Sequence, residues 1–275
     1  MPVPVRLPVR LVALDVDGTV LDGDLRVARS TRTAVAEARR RGVRVVLASS
    51  RGPVALEPVQ AELGVEDEWF IGYQGALVAR RDGQGLEVLA ETPMDLAVAR
   101  AAEEAALARG LSVGRYAGAC WRVPEVTDAL LAEAATTGET PVAGTPDERD
   151  ADGPPHKILA IAGDEAAIAR LHELAAALPP SVTGVFSHAR YLEVTAAGVD
   201  KSTGLGPLLG ALGLAPEETA AVGDGANDLA LFAAVGTPIA MGQAAHEVRA
   251  AASWVTGTID DDGVARALAH LGVAG

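Results

Sequence analysis

Two aspartates set two apart, Asp15 and Asp17, close an apolar run in the stretch LVALDVDGTVLDGD, residues 11–24, and a glycine follows at once. Were both in the strand, alternation would place two like charges side by side on one face at the edge of an apolar core, which is costly. A strand that ends at Asp15 avoids this, because Gly18 lets the backbone turn and carry Asp17 elsewhere. More carboxylates recur far along the chain, where GDGAND supplies Asp224, Asn227 and Asp228. Asp224 and Asp228 are four apart and share a face if a helix starts at the glycine turn. Lys201 precedes them, one of only two lysines against 21 arginines. A compact ammonium and a guanidinium are not interchangeable, so the lysine is notable. Ser49, Ser50 and Arg51 close a further apolar run. Carboxylates converging on one crevice need a counter-charge, and oxygen ligands without His or Cys point to Mg²⁺ rather than zinc. Beside such a cation an aspartate is a plausible nucleophile for a phosphoryl group. Asp15 would then face cation and substrate, while Asp17 lends its carbonyl to the metal and turns its side chain towards a leaving group. Taken alone, Asp-Gly is also a common turn pair.

The elements that must carry these residues are legible from periodicity. RLVALD, VRVVLASS and EWFIGYQGALVA read as strands, and STRTAVAEARRRG and PVALEPVQAELG as the helices between them, the first capped by Ser30 or Thr31 and stopped by Gly42. Strands apolar on both faces in β-α-β-α-β order predict a parallel sheet covered by helices. The pattern resumes with SVTGVFSHARYLEVTAAG as two strands, KSTGLGPLLGALG as a helix, TAAVGD and TPIAMG as strands, and ANDLALFAAVG and QAAHEVRAAA as helices. From about 83 to 189 the character changes to long Ala-rich helices and separate strands, with a loop at 136–156 rich in Pro, Gly, Asp and Thr that is expected to be mobile. The expected architecture is a doubly wound α/β core from residues 1–82 and 190–275, with an inserted α+β domain at 83–189. Ligands of an open parallel sheet bind beyond the carboxyl ends of its strands, where the informative polar residues fall.

Composition sets bounds. The chain has 275 residues, 37 acidic against 23 basic, and a formal charge of −14. Such a surface repels nucleic-acid phosphates and anionic membranes, so neither is expected as a partner. Cys120 is the only cysteine, which excludes an intrachain disulfide and a Cys-rich zinc site. The N-terminus lacks a signal-peptide apolar region and no apolar run reaches the roughly 18 residues of a membrane span, so a cytoplasmic location is expected. The DDD run at 260–262 reads as a solvated turn.

DVDGT, LASSRG, DKSTGL and GDGANDLALF, in that order, resemble the four motifs of the haloacid dehalogenase-like phosphohydrolase superfamily. The insert after the third strand and the tail from IAMGQAAHEVRAAA onward are similar to its Cof-type branch with an α/β cap, which includes many sugar-phosphate phosphatases. The resemblance implies Asp15 as nucleophile and Mg²⁺ ligand, and Asp17 as general acid, then general base. It implies that Ser49 hydrogen-bonds the transferring phosphoryl within the Ser49-Ser50-Arg51 phosphate loop. It further implies that Lys201 neutralises nucleophile and phosphoryl oxygens, that Asp224 completes the protein ligands, that Asp228 holds metal-bound water or Lys201, and that Asn227 lies near the phosphate. Two positions depart from the branch: Ser50 stands where glycine is usual, and Gln74 where asparagine is usual.

The implied activity is Mg²⁺-dependent hydrolysis of a small phosphomonoester, with a phosphorylated metabolite as the partner and cap residues such as Arg115, Tyr116, Arg122 and Arg190 as candidates for selecting it. A phosphosugar mutase or a pathway-specific sugar phosphatase is the rival within the fold. A receiver-like signalling module or a silent phospholigand-binding protein is the rival outside it; the insert of about 100 residues counts against the receiver, and the intact Asp15, Asp17, Lys201 and Asp224 set counts against the silent binder.

Overall fold

The computed structural model describes residues 8–83 and 85–275; the first seven residues of the expected core segment, and Gln84, lie outside them. The chain divides into two units. One comprises the chain through Ser50 with Leu56–Ala90 and Asp200–Gly275, the other Arg51–Ala55 with Glu91–Val199.

Strands β1 (Leu11–Leu14), β2 (Arg44–Ala48), β3 (Phe70–Gly72), β4 (Leu77–Arg81) and β5 (Leu86–Glu91) begin the first unit. The second holds β6 (Ser112–Ala117), β7 (Cys120–Val123), β8 (Val142–Ala143), β9 (Lys157–Ile161), β10 (Val182–His188) and β11 (Tyr191–Ala196). Strands β12 (Thr219–Gly223), β13 (Thr237–Ala240) and β14 (Trp254–Val255) complete the first. The longer helices of the first unit are α1 (Arg29–Arg40) and α2 (Pro53–Leu63), those of the second α3 (Leu96–Leu107), α4 (Asp128–Thr137), α5 (Pro146–Ala151) and α6 (Glu165–Ala177). The first unit then continues with α7 (Lys201–Leu212), α8 (Leu229–Ala233), α9 (His246–Ala251) and α10 (Gly263–His270).

The first unit's sheet runs β14-β13-β12-β1-β2-β3-β4-β5. Every residue of β1 is fully buried. Leu11 and Ala13 pack with Leu205, Leu208 and Leu209 of α7 and with Leu231 and Phe232 of α8. Val12 and Leu14 point the other way by alternation, to the face where α1 packs on β2 and α10. Cover on both sides is why the run is apolar without interruption. The fold is α/β and doubly wound, as expected.

Strand order fixes where a site can form. From β1 the chain winds outward to β2 and β3, and its later part winds the other way through β12, β13 and β14, all in parallel. The order therefore reverses between β1 and β12, and at such a switch point the two following loops part and leave a crevice. Leu14 pairs with Val222, so the loops carrying Asp15 and Asp224 leave the sheet side by side.

Five local expectations are corrected. EWFIGYQGALVA is not one strand: Phe70–Gly72 and Leu77–Arg81 pair antiparallel about a tight turn at Tyr73–Gly75, so the sheet is mixed. The 182–196 segment is a hairpin, β10 with β11, turning at 189–190, and β11 also pairs with β9. A boundary at 189/190 would cut that hairpin, so both strands belong to the second unit's sheet, ordered β10-β11-β9-β6-β7-β8, and the division falls at 199/200. At the other junction β5 extends the first sheet, which moves the division from 82/83 to 90/91. The 136–156 loop contains β8 and α5, the latter started by a capping box in which Thr145 Oγ1 accepts from the Glu148 N–H and the Glu148 carboxylate accepts from the Thr145 N–H. Helix α1 begins from Ala28, with neither Ser30 nor Thr31 as its cap.

In the second unit, α3 and α6 cover one sheet face through Ala99, Ala102, Ala106, Leu171 and Leu174 against Ile158, Ala160, Leu192 and Val194. Arg115 is buried on that side. Its guanidinium donates to both Glu103 oxygens, at 2.7 and 2.8 Å, and to Asp150. It is consumed by structure, which removes it from the residues expected to select substrate. Arg122 is held by Asp152 at 2.6 Å, Arg190 pairs with Glu165 at 3.5 Å, and the buried Tyr116 stacks on Trp121.

Candidate active site

Asp15 is the first residue beyond β1, tied to the sheet by its N–H donating to the Val222 carbonyl at 2.9 Å. The chain then folds into a tight turn in which the Val16 carbonyl accepts from the N–H groups of Val20 and Leu21. Gly18 in this turn has φ +84°, and a Cβ there would lie 2.4 Å from Asp224 Oδ2. Only glycine both adopts the angle and leaves room for the carboxylate. Thr19 Oγ1 donates to Asp224 Oδ1 at 3.4 Å, a second link between the two loops.

Lys201 is the first residue of α7. Asp200 caps the helix, accepting from the N–H groups of Ser202 and Thr203. The Tyr73–Gly75 turn seats this helix start: Gly75, at φ +106°, brings its Cα so close that a Cβ would fall 1.9 Å from the Asp200 carbonyl oxygen. The Lys201 ammonium, wholly buried, donates to Asp15 Oδ1 at 2.5 Å and to Asp228 Oδ1 at 2.6 Å. Asp228, also wholly buried, accepts through Oδ2 from the N–H groups of Asp224 and Gly225, both at 3.0 Å. It thereby anchors the lysine and shapes the turn that presents Asp224.

The electrostatics follow from burial. The Asp15 carboxyl is pushed up to about 8, by burial first and by the Asp228 charge next, with Lys201 opposing. Asp224 is raised as well, again by burial and then Asp228, against the neighbouring Gln243 amide and the Lys201 charge. Burial works to lower Lys201, but its two carboxylates outweigh burial and hold it above the ordinary lysine range. One carboxylate oxygen from each of Asp15, Asp224 and Asp228 lies within 4.8 Å of the others. Three carboxylates share one ammonium, a cluster that a divalent cation with a preference for oxygen would balance, so the donor set fits such an ion. The carboxylate of Asp17 is outside this group, and Asp17 is exposed.

The remaining sequence candidates occupy neighbouring loops, with one exception. Ser49 is buried beyond β2, its N–H on the Ile71 carbonyl at 2.8 Å and its own carbonyl taking the Gln74 N–H at 3.0 Å. Ser50 has no left-handed φ, so a side chain is accommodated where glycine is usual. Gln74 itself sits at φ +60°, and its Oε1 accepts from Asn227 Nδ2 at 3.3 Å. That amide bridge ties the β3–β4 turn to the loop of Asp224. Arg51 is the exception: it groups with the second unit, where its guanidinium donates to the Thr136 carbonyl at 3.5 Å. Gln243, which follows β13, escaped the sequence reading; its side chain donates to the Gly18 carbonyl at 2.6 Å, and nothing in an isolated loop amide announces such a contact.

Buried carboxylates bound to a lysine at the switch point of a doubly wound sheet make a site suited to an oxygen-preferring cation and an anionic ligand. A family model described as haloacid dehalogenase-like hydrolase matches residues 12–268. The chain belongs to that family and is an enzyme of the phosphoric monoester hydrolase class. It is 30% identical over 265 residues to the Bacillus subtilis protein YkrA, covering 96% of this chain and 98% of that one. It is 38% identical over 79 residues, 29% of this chain and 32% of the relative, to 5-amino-6-(5-phospho-D-ribitylamino)uracil phosphatase YcsE of Bacillus subtilis. A crystal structure of a haloacid dehalogenase-like hydrolase from Bacteroides thetaiotaomicron superposes with a TM-score of 0.86 at 27% identity, covering 96% of this chain and 99% of that one. No helix among the described residues is long and apolar enough to cross a membrane.

Proposed function

We propose that the protein is a Mg²⁺-dependent phosphatase that hydrolyses a small phosphomonoester through an aspartyl-phosphate on Asp15. The observation that carries this reading is the fully buried Lys201 ammonium shared between Asp15 and Asp228, with Asp224 beside them. Lys201 occupies Oδ1 of Asp15, which leaves Oδ2 to attack phosphorus. As the Oδ2–P bond forms, the P–O bond to the leaving group breaks, and Asp17 as a carboxylic acid gives the departing oxygen its proton. Asp17, now a carboxylate, takes a proton from water as that water attacks phosphorus; the Oδ2–P bond breaks, releasing phosphate and restoring Asp15. The exposure of Asp17 suits a group that must meet both leaving group and solvent.

Asp15, Asp224 and the carbonyl of Asp17 would hold the cation, with Asp228 positioning Lys201 rather than spending its already occupied oxygens on metal. When bound, Mg²⁺ supplies charge neutralisation for phosphoryl oxygens and keeps Asp15 ionised despite its burial. Ser49 would hydrogen-bond the phosphoryl group, and Asn227, held by Gln74, would lie near it. Ser50 would continue the phosphate loop, with the Arg51 guanidinium turned to the Thr136 carbonyl instead. The second unit would act as the cap that selects the leaving group and excludes water. A sugar or polyol phosphate is the favoured substrate class, supported by the resemblance of the motifs and by the phosphoribityl substrate in the name of YcsE.

The test is phosphate release from a panel of phosphomonoesters, with Mg²⁺ and with chelator, for the natural protein and Asp15→Asn. Release should require the metal and vanish in the variant. Turnover that survives Asp15→Asn would discard the nucleophile, and metal-independent turnover would discard the cation.

A further inference from the structure

Gln243 stands just beyond β13, where the Met241 N–H donates to the Gly223 carbonyl and the Gly242 N–H to the Gly257 carbonyl. Its backbone is thus fixed between the loop of Asp224 and the loop after β14. Its side chain makes two hydrogen bonds. Nε2 donates to the Gly18 carbonyl at 2.6 Å and Oε1 accepts from the Ile259 N–H at 3.1 Å. The orientation of the amide follows from its partners, since a carbonyl requires a donor and a backbone N–H requires an acceptor. One exposed side chain therefore fastens the loop of Asp15 and Asp17 to the segment at 259, from a backbone tied to Gly223 just before Asp224.

What this side chain holds is the separation between two loops that run from adjacent strands. The Gly18 turn and Asp224 already lie so close that a Cβ on Gly18 would fall 2.4 Å from Asp224 Oδ2. The amide draws the Gly18 carbonyl towards the end of β13, which the Met241 N–H bond to the Gly223 carbonyl keeps beside the loop of Asp224, and it does so without adding a charge. A glutamate of the same length would keep only the Ile259 bond, and an asparagine, shorter by one methylene, would not span to Gly18 and Ile259 together.

We infer that Gln243 is a positioning residue: it sets the spacing of the Gly18 turn and the Asp224 carboxylate on which cation binding depends, without touching the cation or the substrate. This rests on the metal-dependent reading above. Groups that orient metal ligands cost about 10–100-fold in affinity when removed.

The experiment is isothermal titration of Mg²⁺ into the metal-free full-length protein and into Gln243→Met, which keeps length and volume and removes the hydrogen bonds, together with steady-state kinetics across Mg²⁺ concentration. The expected result is a rise of about tenfold in the Mg²⁺ dissociation constant, a matching shift in the Mg²⁺ dependence of kcat, and recovery of most of kcat at saturating Mg²⁺ with KM for the phosphomonoester little changed. A dissociation constant within twofold of the natural protein would overturn the inference, as would a kcat loss that saturating Mg²⁺ does not restore. Should Gln243→Met not fold, Gln243→Asn takes its place with the same criteria. Failure of the metal-dependent reading shows differently, as absence of Mg²⁺ binding in the natural protein.

Discussion

The burial of Asp15 makes a quantitative demand on stability. Its carboxyl, ordinarily near 3.8, is pushed up to about 8 in the metal-free fold, chiefly by desolvation and by Asp228. Between those two values the folded protein holds a proton that the unfolded chain has released, so this group makes stability fall as pH rises through the window. The span from pH 5 to pH 8 covers three units at 1.36 kcal/mol each, or about 4 kcal/mol at most. Asp15→Asn has no such proton. The difference in unfolding free energy, natural protein minus variant, should therefore drop by up to about 4 kcal/mol from pH 5 to pH 8 in chelator. His156, which burial holds below its usual range against Glu91, titrates in both proteins and cancels in the difference. Urea unfolding in a Trp121→Phe background would read the first unit, because the other tryptophans, Trp69 and Trp254, lie within it. Saturating Mg²⁺ should flatten the dependence, since a bound cation favours the ionised carboxylates at every pH. A difference that stays within about 1 kcal/mol across the window in chelator would refute the assignment of a desolvated, proton-binding Asp15.

Three substitutions separate the site from its scaffold. Gly75→Ala would push a methyl to 1.9 Å from the Asp200 carbonyl at φ +106°, whereas Gly64→Ala, at φ +67°, meets nothing within 4 Å. Both strain the backbone by about 1 kcal/mol, but only Gly75→Ala should also shift the start of α7 and lower kcat, which paired melting and activity measurements would check; equal effects would deny that the Tyr73–Gly75 turn seats Lys201. Arg115→Met breaks a buried pair with Glu103 and Asp150 and should destabilise by about 3–5 kcal/mol while leaving kcat/KM of the folded enzyme unchanged for every substrate. A changed substrate profile with intact stability would return Arg115 to substrate selection.

The parts of the site that were legible in the sequence share one physical property: each is a polar residue interrupting an apolar run at a strand end or helix start. Asp15, Ser49 and Asp224 close runs too apolar to be anything but buried strands, and Lys201 stands out in a chain that otherwise uses arginine. Pattern establishes that such residues reach the same edge of one sheet, because parallel strands covered on both faces leave only their ends open. It does not establish what a strand pairs with. The 182–196 segment reads as two strands either way, and its membership of the second sheet depends on the β9–β11 pairing, which leaves no mark on its own residues. The Phe70–Arg81 hairpin stayed hidden for a related reason: its turn places Tyr73 and Gln74 at positive φ, a conformation that side chains other than glycine seldom signal. Buried arginines mislead in the opposite sense, since Arg115 looks like any surface cation until Glu103 is seen across from it. The contacts that escaped the sequence are thus those decided by a partner far along the chain, and among them Gln243 matters most, because the Gly18 turn beside Asp224 is held by an amide that comes 19 positions after that aspartate and belongs to none of the four motifs.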